Sequence, residues 1–178
     1  MVKDKSSLRK EIRSRLAVLQ TSDKEARSAS IAGTVKEHLA VSGARVVALY
    51  SPLGSEPLIW PLVVELSHRM LVVLPKVEGD TMNFYCYDPQ CMAVGAYGIM
   101  EPQGGEPVPS YSIDAVVVPG VAFTRTGARM GRGKGYYDKY LSQEDFRGLK
   151  LGVCYAEQIV EDLPTEPHDV RMDCVIFG

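Results

Sequence analysis

The run Ile113-Asp114-Ala115-Val116-Val117-Val118, closed by Pro119-Gly120, constrains this chain most. From Ala115 onward it has no polar alternation, so a strand built from it is apolar on both faces and needs cover on both. Strands of that kind belong to parallel sheets packed between helices. Arg45 to Tyr50, Leu71 to Pro75, Met82 to Tyr87, Lys150 to Tyr155 and Cys174 to Phe177 read as further strands. Leu8, Ile12, Leu16 and Leu19 recur at spacings of four, four and three, which predicts a helix over residues 5–20. Ser22-Asp23-Lys24-Glu25 matches a capping box and predicts a second helix running to about Ala40. Pro57 suits the first turn of a third, ending near Arg69, and a fourth is predicted from Tyr136 to Gln143. Asp88 to Ser112, rich in Gly and Pro, reads as loop with little regular structure. Helices alternating with apolar strands predict a three-layer α/β/α fold with a largely parallel central sheet, as a single domain over residues 1–178.

Charge narrows the ligand. The formal net charge is −2, yet residues 1–15 carry a local +4 and residues 125–139 another +4. Two basic patches on an acidic body suit a small polyanion better than a nucleic acid, although solvated helix faces produce similar runs. No apolar stretch follows Met1-Val2-Lys3-Asp4-Lys5, and the run from Ala115 to Phe123 is too short to span a bilayer. A cytoplasmic protein without membrane or nucleic-acid partners is expected. Cys86, Cys91, Cys154 and Cys174 have no CxxC spacing and read as thiols. His38, His68 and His168 are too far apart for an HExxH-type metal site.

Chemistry concentrates in Arg129-Met130-Gly131-Arg132-Gly133-Lys134-Gly135-Tyr136-Tyr137-Asp138. Glycines at alternate positions let backbone amides approach a ligand closely, and a helix starting after them points free N–H groups at an anion. Arg129, Arg132 and Lys134 can add charge-assisted bonds to phosphate. The segment is neither a Walker A loop nor a GxGxxG fingerprint, so the residues alone specify an anion loop of unassigned type. Asp138 fits either an intrahelical ion pair or a Mg²⁺ ligand completed by water and phosphate. Lys5 and Arg9 share one helix face. Glu56 follows a strand–loop, where open α/β sheets place ligands, but also fits the first turn of a helix.

In order along the chain, the sequence resembles the 5-formyltetrahydrofolate cyclo-ligase family at Lys5-Ser6-Ser7-Leu8-Arg9, at Tyr50 to Glu56 and at Tyr97-Gly98-Ile99-Met100-Glu101-Pro102. Val118 to Phe123 followed by Gly131 to Leu141 is the most specific match, and Gly152 to Tyr155, Gln158, Leu163-Pro164 and His168-Asp169 extend it. The resemblance implies a magnesium- and ATP-dependent ligase that closes 5-formyltetrahydrofolate to 5,10-methenyltetrahydrofolate through a phosphorylated formyl intermediate, with release of ADP and phosphate. It implies ATP contacts from Lys5, Arg9, Arg129, Gly131, Arg132, Gly133, Lys134, Gly135, Tyr136 and Tyr137. Folate contacts would come from Ser51, Glu56 and the loop Arg132 to Tyr136, with Arg132, Lys134 and Tyr136 as catalytic groups between the two substrates. Asp138 and Asp169 would hold Mg²⁺, and no obligate protein partner is implied. After Glu56 this chain has Pro57-Leu58-Ile59, where relatives often continue with an apolar residue, Asp and Thr. That departure motivates an alternative, a paralogue using Mg·ATP on another small molecule.

Overall fold

The computed structural model describes residues 4–95 and 97–178; Lys3, counted in the N-terminal basic run, lies outside them. Helix α1 (Lys5–Ala17) and helix α2 (Thr21–Ser42) lead into strand β1 (Val46–Ala48) and helix α3 (Trp60–Ser67). Strands β2 (Leu71–Glu78), β3 (Thr81–Cys86), β4 (Met92–Val94), β5 (Met100–Pro102) and β6 (Ala115–Pro119) follow. Short strands β7 (Ala122–Phe123) and β8 (Arg129–Met130), helix α4 (Tyr136–Leu141), β9 (Leu149–Cys154) and β10 (Cys174–Phe177) complete the described elements.

The central sheet has the order β10-β9-β6-β1-β2-β3, and every neighbouring pair is parallel except β2–β3. Its strands divide their side chains with period two. Val47, Leu49, Val72, Leu74 and Val117 face the stripes Leu8/Ile12/Leu16 of α1 and Ile31/Val35/Leu39 of α2. Ala48, Val73, Val116 and Val118 face the other way, onto Phe123, Tyr140 and Phe146. The expected three layers are present, but unequally. Three helices cover one face, while α4 and irregular chain cover the other. That thin layer is where a cavity can open.

Gly152 in β9 illustrates how tightly the thin side packs. A β-carbon there would stand 2.7 Å from the Phe123 ring and 2.9 Å from Met172 Cγ. Gly152→Ala is expected to destabilise by about 1–3 kcal/mol, the range for overpacking a filled core. Urea unfolding of the two proteins checks this, and an unchanged midpoint would mean the ring moves freely.

Three local expectations change. Helix α2 begins at Thr21 with Gln20 as its cap and no side-chain cap bond, so Ser22 lies inside the helix and its capping box does not form. Helix α3 begins at Trp60, with Pro61 rather than Pro57 in its first turn. The reason is tertiary: the Tyr50 hydroxyl donates to the Pro57 carbonyl (2.8 Å) and the Leu58 amide donates to Ser28 Oγ (2.8 Å). These bonds hold the chain extended where a helix would otherwise start. Finally, the stretch 88–112 contains a β-hairpin, β4 against β5, with Val94 paired to Met100 and Met92 to Pro102. Its turn bonds, Gly95 N–H to the Ile99 carbonyl and Gly98 N–H to the Gly95 carbonyl, use the glycines that read as loop signals.

Candidate active site

The chain leaves β1 for β2 on one side and later places β6 on the other, so the carboxyl ends of β1 and β6 diverge. Open α/β sheets bind ligands at such a switch point. A cavity of about 1020 Å³ opens there, walled by these strand ends, by α1, by the glycine loop and by the β4–β5 hairpin.

Helix α1 delivers two cations to this cavity. Asp4 caps the helix, accepting from the Ser6 and Ser7 amides at 2.9 and 3.0 Å. With the apolar stripe buried, the neighbouring face carries Lys5 and Arg9 to the cavity wall. Lys5 Nζ meets Glu166 at 3.0 Å and Asp169 at 3.3 Å, and Arg9 Nε donates to the Gly131 carbonyl at 3.2 Å. Burial alone lowers the Lys5 pKa, but its bonds to the two carboxylates outweigh that and leave it above its usual value. Burial likewise opposes ionisation of Asp169, yet the Glu166 amide and Lys5 hold its carboxyl below the ordinary range.

The glycine loop starts from the β7–β8 hairpin, which the sequence reading missed. Its two arginines differ in kind. Arg129 is buried, with its side chain 3% exposed; it pairs with Asp138 at 2.9 Å and donates to the Pro119 carbonyl at 3.3 Å. A β-carbon on Gly131 would stand 3.0 Å from its guanidinium, so this glycine makes room for Arg129 beneath the loop. Gly133 (φ 100°) and Gly135 (φ 70°) turn the chain in conformations L side chains rarely adopt. Lys134 is exposed at the cavity and, among the described residues, makes no hydrogen bond or ion pair. It is the cation most free to meet a phosphate. Because α4 is only six residues long, its dipole adds little to that charge. Tyr136 bridges the glycine loop toward the hairpin, its hydroxyl 3.4 Å from that of Tyr97. Tyr137 lies under Arg129, 5.5 Å from ring centroid to guanidinium carbon, and burial keeps its phenol protonated by raising its pKa.

Arg132 is half exposed and reaches across the cavity to Glu56 (3.1 Å) and Ser55 Oγ (2.7 Å). Glu56 is buried in the loop between β1 and α3, where its second oxygen accepts from the Leu53 amide at 2.9 Å. Burial raises its pKa, and the Leu53 amide and Arg132 pull it partly back. The residue precedes α3 and is not a helix first-turn acid. Ser51 also reaches the wall, but its hydroxyl donates to the Met100 carbonyl at 2.5 Å and so ties the hairpin to β1. The far wall is apolar: Pro75, Val77, Met82, Tyr97 and Ile99. One end of the cavity is therefore cationic and the other suits a flat organic ring.

The model of the 5-formyltetrahydrofolate cyclo-ligase family matches residues 1–178, the full length of the sequence. The chain belongs to this family of ligases. The 5-formyltetrahydrofolate cyclo-ligase of Mycolicibacterium smegmatis is 33% identical over 150 residues, covering 78% of this chain and 75% of its own. That of Mycoplasma pneumoniae is 30% identical over 176 residues, covering 97% and 98%. The solved 5,10-methenyltetrahydrofolate synthetase of Aquifex aeolicus superposes with a TM-score of 0.86 at 38% identity, over 97% of this chain and 89% of that one.

The family resemblance implies Mg²⁺, and the donor set here suits a hard cation. Asp138 and Asp169 both line the cavity and offer only oxygen. Each oxygen of Asp138 accepts one bond, from Arg129 and from the Val170 amide, and retains a lone pair. Among the described residues no cluster of three or more acids, histidines or cysteines forms a metal cage. Mg²⁺ does not require one, since water and substrate phosphates complete its shell.

The sequence reading overlooked the groups that hold this cyclo-ligase site in place. Tyr155 is buried; its hydroxyl donates to the Glu56 carbonyl at 3.2 Å and lies 3.1 Å from Ser28 Oγ. Gln158 donates to the Gly120 carbonyl at 2.8 Å and accepts from the Tyr155 amide at 2.9 Å, pinning the entry to β7. The buried Glu101 on the cavity wall was also passed over as a site residue. Only the family motif hinted at these three positions.

Proposed function

We propose that the protein converts 5-formyltetrahydrofolate and ATP to 5,10-methenyltetrahydrofolate, ADP and phosphate, acting as a single cyclo-ligase domain in the cytoplasm with its four thiols free. One observation carries the reading: a single cavity joins a cationic end to an apolar end, room for a polyphosphate beside a pteridine. Lys5, Arg9 and Lys134 at the cationic end, with the backbone of Gly131, Gly133 and Gly135, hold the ATP phosphates. The folate lies on the apolar wall with Glu56 and Ser51 at its edge, and Arg132, Lys134 and Tyr136 stand between the substrates.

The formyl oxygen attacks the terminal phosphorus, and the bond from that phosphorus to the ADP oxygen breaks. This makes a poor leaving group into a phosphate ester. The folate nitrogen at position ten then attacks the formyl carbon, loses its proton, and phosphate departs with the oxygen. Phosphoryl transfer of this kind needs alignment and charge neutralisation rather than a protein nucleophile. Arg132 reaches over the junction and supplies positive charge to the negative oxygens of the transferring phosphoryl group. When bound at Asp138 and Asp169, Mg²⁺ would neutralise phosphate oxygens and help align them.

The departure at Pro57-Leu58-Ile59 does not favour a different substrate. None of the three lines the cavity; Pro57 and Leu58 are bonded to Tyr50 and Ser28, and Ile59 is buried in the core.

Absorbance in the methenyltetrahydrofolate band tests the proposal, with 5-formyltetrahydrofolate, ATP and Mg²⁺ omitted in turn. Growth that needs all three is expected. No growth, with Mg·ATP still binding by calorimetry, would move the protein to the paralogue reading. Glu56→Gln is expected to raise KM for the folate about tenfold, the value of one bond to a charged group, and KM for ATP much less. Steady-state kinetics against each substrate checks this; equal effects would take Glu56 out of the folate pocket.

A further inference from the structure

The cavity wall contains a second buried carboxylate that the reaction above does not use. Glu101 is 5% exposed, faces the cavity beside Tyr97, Ile99 and Val77, and its carboxylate has no hydrogen-bond partner among the described residues. A carboxylate set in an apolar wall without a protein donor is unusual unless water or a ligand completes it. Glu56, the other carboxylate of the wall that is buried, is already bonded to Arg132 and the Leu53 amide. Lys76, the cation that acts on Glu101 through space, is itself engaged, 3.7 Å from Glu78 and 5.6 Å from the centroid of the Tyr85 ring.

The position of Glu101 is built rather than incidental. Glu101 is registered by pairing with Ala93, and its strand is tied to the end of β1 through Ser51 and the Met100 carbonyl. Gly95 lies directly against it: a β-carbon there would come within 2.1 Å of both Glu101 Cδ and Oε2. A glycine at 95 is therefore what admits this side chain to the wall. Burial raises the pKa of the carboxyl, with Lys76 offsetting part of the effect, as suits a group waiting for donors.

We infer that Glu101 recognises the aminopyrimidinone edge of the pteridine, accepting hydrogen bonds from N3–H and from one N–H of the 2-amino group. The inference rests on the folate reading above. Of the substrate's polar groups, this edge alone presents two adjacent parallel donors, the pattern a carboxylate accepts bidentately. The formyl oxygen is an acceptor and the glutamate tail is anionic, so neither matches an unpaired carboxylate in an apolar wall. Glu101 thus fixes which end of the folate enters first, leaving the formyl group toward the glycine loop.

The test compares 5-formyltetrahydrofolate with its 2-desamino-2-methyl analogue on the wild-type protein, Glu101→Gln and Glu101→Asp, with ATP and Mg²⁺ saturating. Wild type should show a KM about 10–100-fold higher for the analogue. Glu101→Gln should show a similar rise with the natural substrate, leave KM for ATP within about twofold, and discriminate between the two folates only a few-fold. Glu101→Asp, with its carboxylate withdrawn by one methylene, should fall between. Thermal melting should place Glu101→Gln at or above wild type, because it removes a buried charge. An unchanged folate KM in Glu101→Gln, or undiminished discrimination by it, overturns the inference. Absence of turnover by the wild-type protein overturns the folate reading, and the role of Glu101 with it.

Discussion

Arg129→Met should lower stability by about 3–5 kcal/mol, the range for removing one partner of a buried ion pair. The side chains of Arg129 and Asp138 are 3% and 13% exposed and meet at 2.9 Å, so the pair is largely withdrawn from solvent. Methionine keeps most of the stem packed over Tyr137 but leaves the Asp138 carboxylate facing an apolar chain. The bond to the Pro119 carbonyl is lost too, loosening the end of β6 where the cavity begins. One feature limits the loss: Arg129 Nε is buried without a partner among the described residues, so the wild-type arginine is itself incompletely satisfied. For a chain of this size each kcal/mol shifts Tm by roughly 2–4 °C, giving an expected fall of about 6–20 °C. Calorimetry measures it directly. Adding Asp138→Asn to Arg129→Met should recover part of the loss, because it removes the stranded charge. A midpoint unchanged in the single variant would mean that Asp138 does not depend on Arg129.

Three residues further along, Arg132→Ala should do the reverse. Its side chain is 47% exposed, and its buried partner Glu56 keeps the Leu53 amide, so the cost to folding should stay well below that of Arg129→Met. The loss should fall on catalysis instead, with kcat/KM down by about 10²–10³-fold, by analogy with removing a donor to developing transition-state charge. A pH signature accompanies it. Burial raises the Glu56 pKa and Arg132 opposes that rise, so without Arg132 the carboxyl titrates still higher. If folate binding uses the carboxylate, activity is present above this pKa and lost as pH falls through it. The acid limb of the pH profile should therefore move to higher pH in Arg132→Ala. Catalytic efficiency near the wild-type value would remove Arg132 from the reaction. A normal acid limb alongside a large rate loss would separate its phosphate role from its hold on Glu56.

The contrast between these arginines measures what the sequence could say. Arg129 and Arg132 stand in one short basic run and read alike as phosphate ligands. What separates them is the β7–β8 hairpin, which turns Arg129 inward, and Gly131, which leaves space for its guanidinium. Lys5 and Arg9 were legible as one helix face because helical spacing is local. Their partners, Asp169 and the Gly131 carbonyl, lie 164 and 122 residues away and leave no trace in spacing. Glu101 was hidden for a similar reason: in a stretch read as loop, nothing marked its side chain as buried.

The sequence by itself determined the layers, because a run such as Ala115 to Val118 must be covered on both faces, and helical periodicity supplied the cover. It also determined where anion chemistry gathers, since glycines and cations at fixed spacing act through local backbone geometry. Only the tertiary structure decided the strand order, the place where β1 and β6 part, and which charged groups face the cavity. Those outcomes depend on contacts between distant segments, such as Tyr50 and Ser28 holding Pro57 and Leu58 out of a helix. Burial then separates the charges: Arg129 is enclosed with Asp138, while Lys134 lies exposed at the cavity.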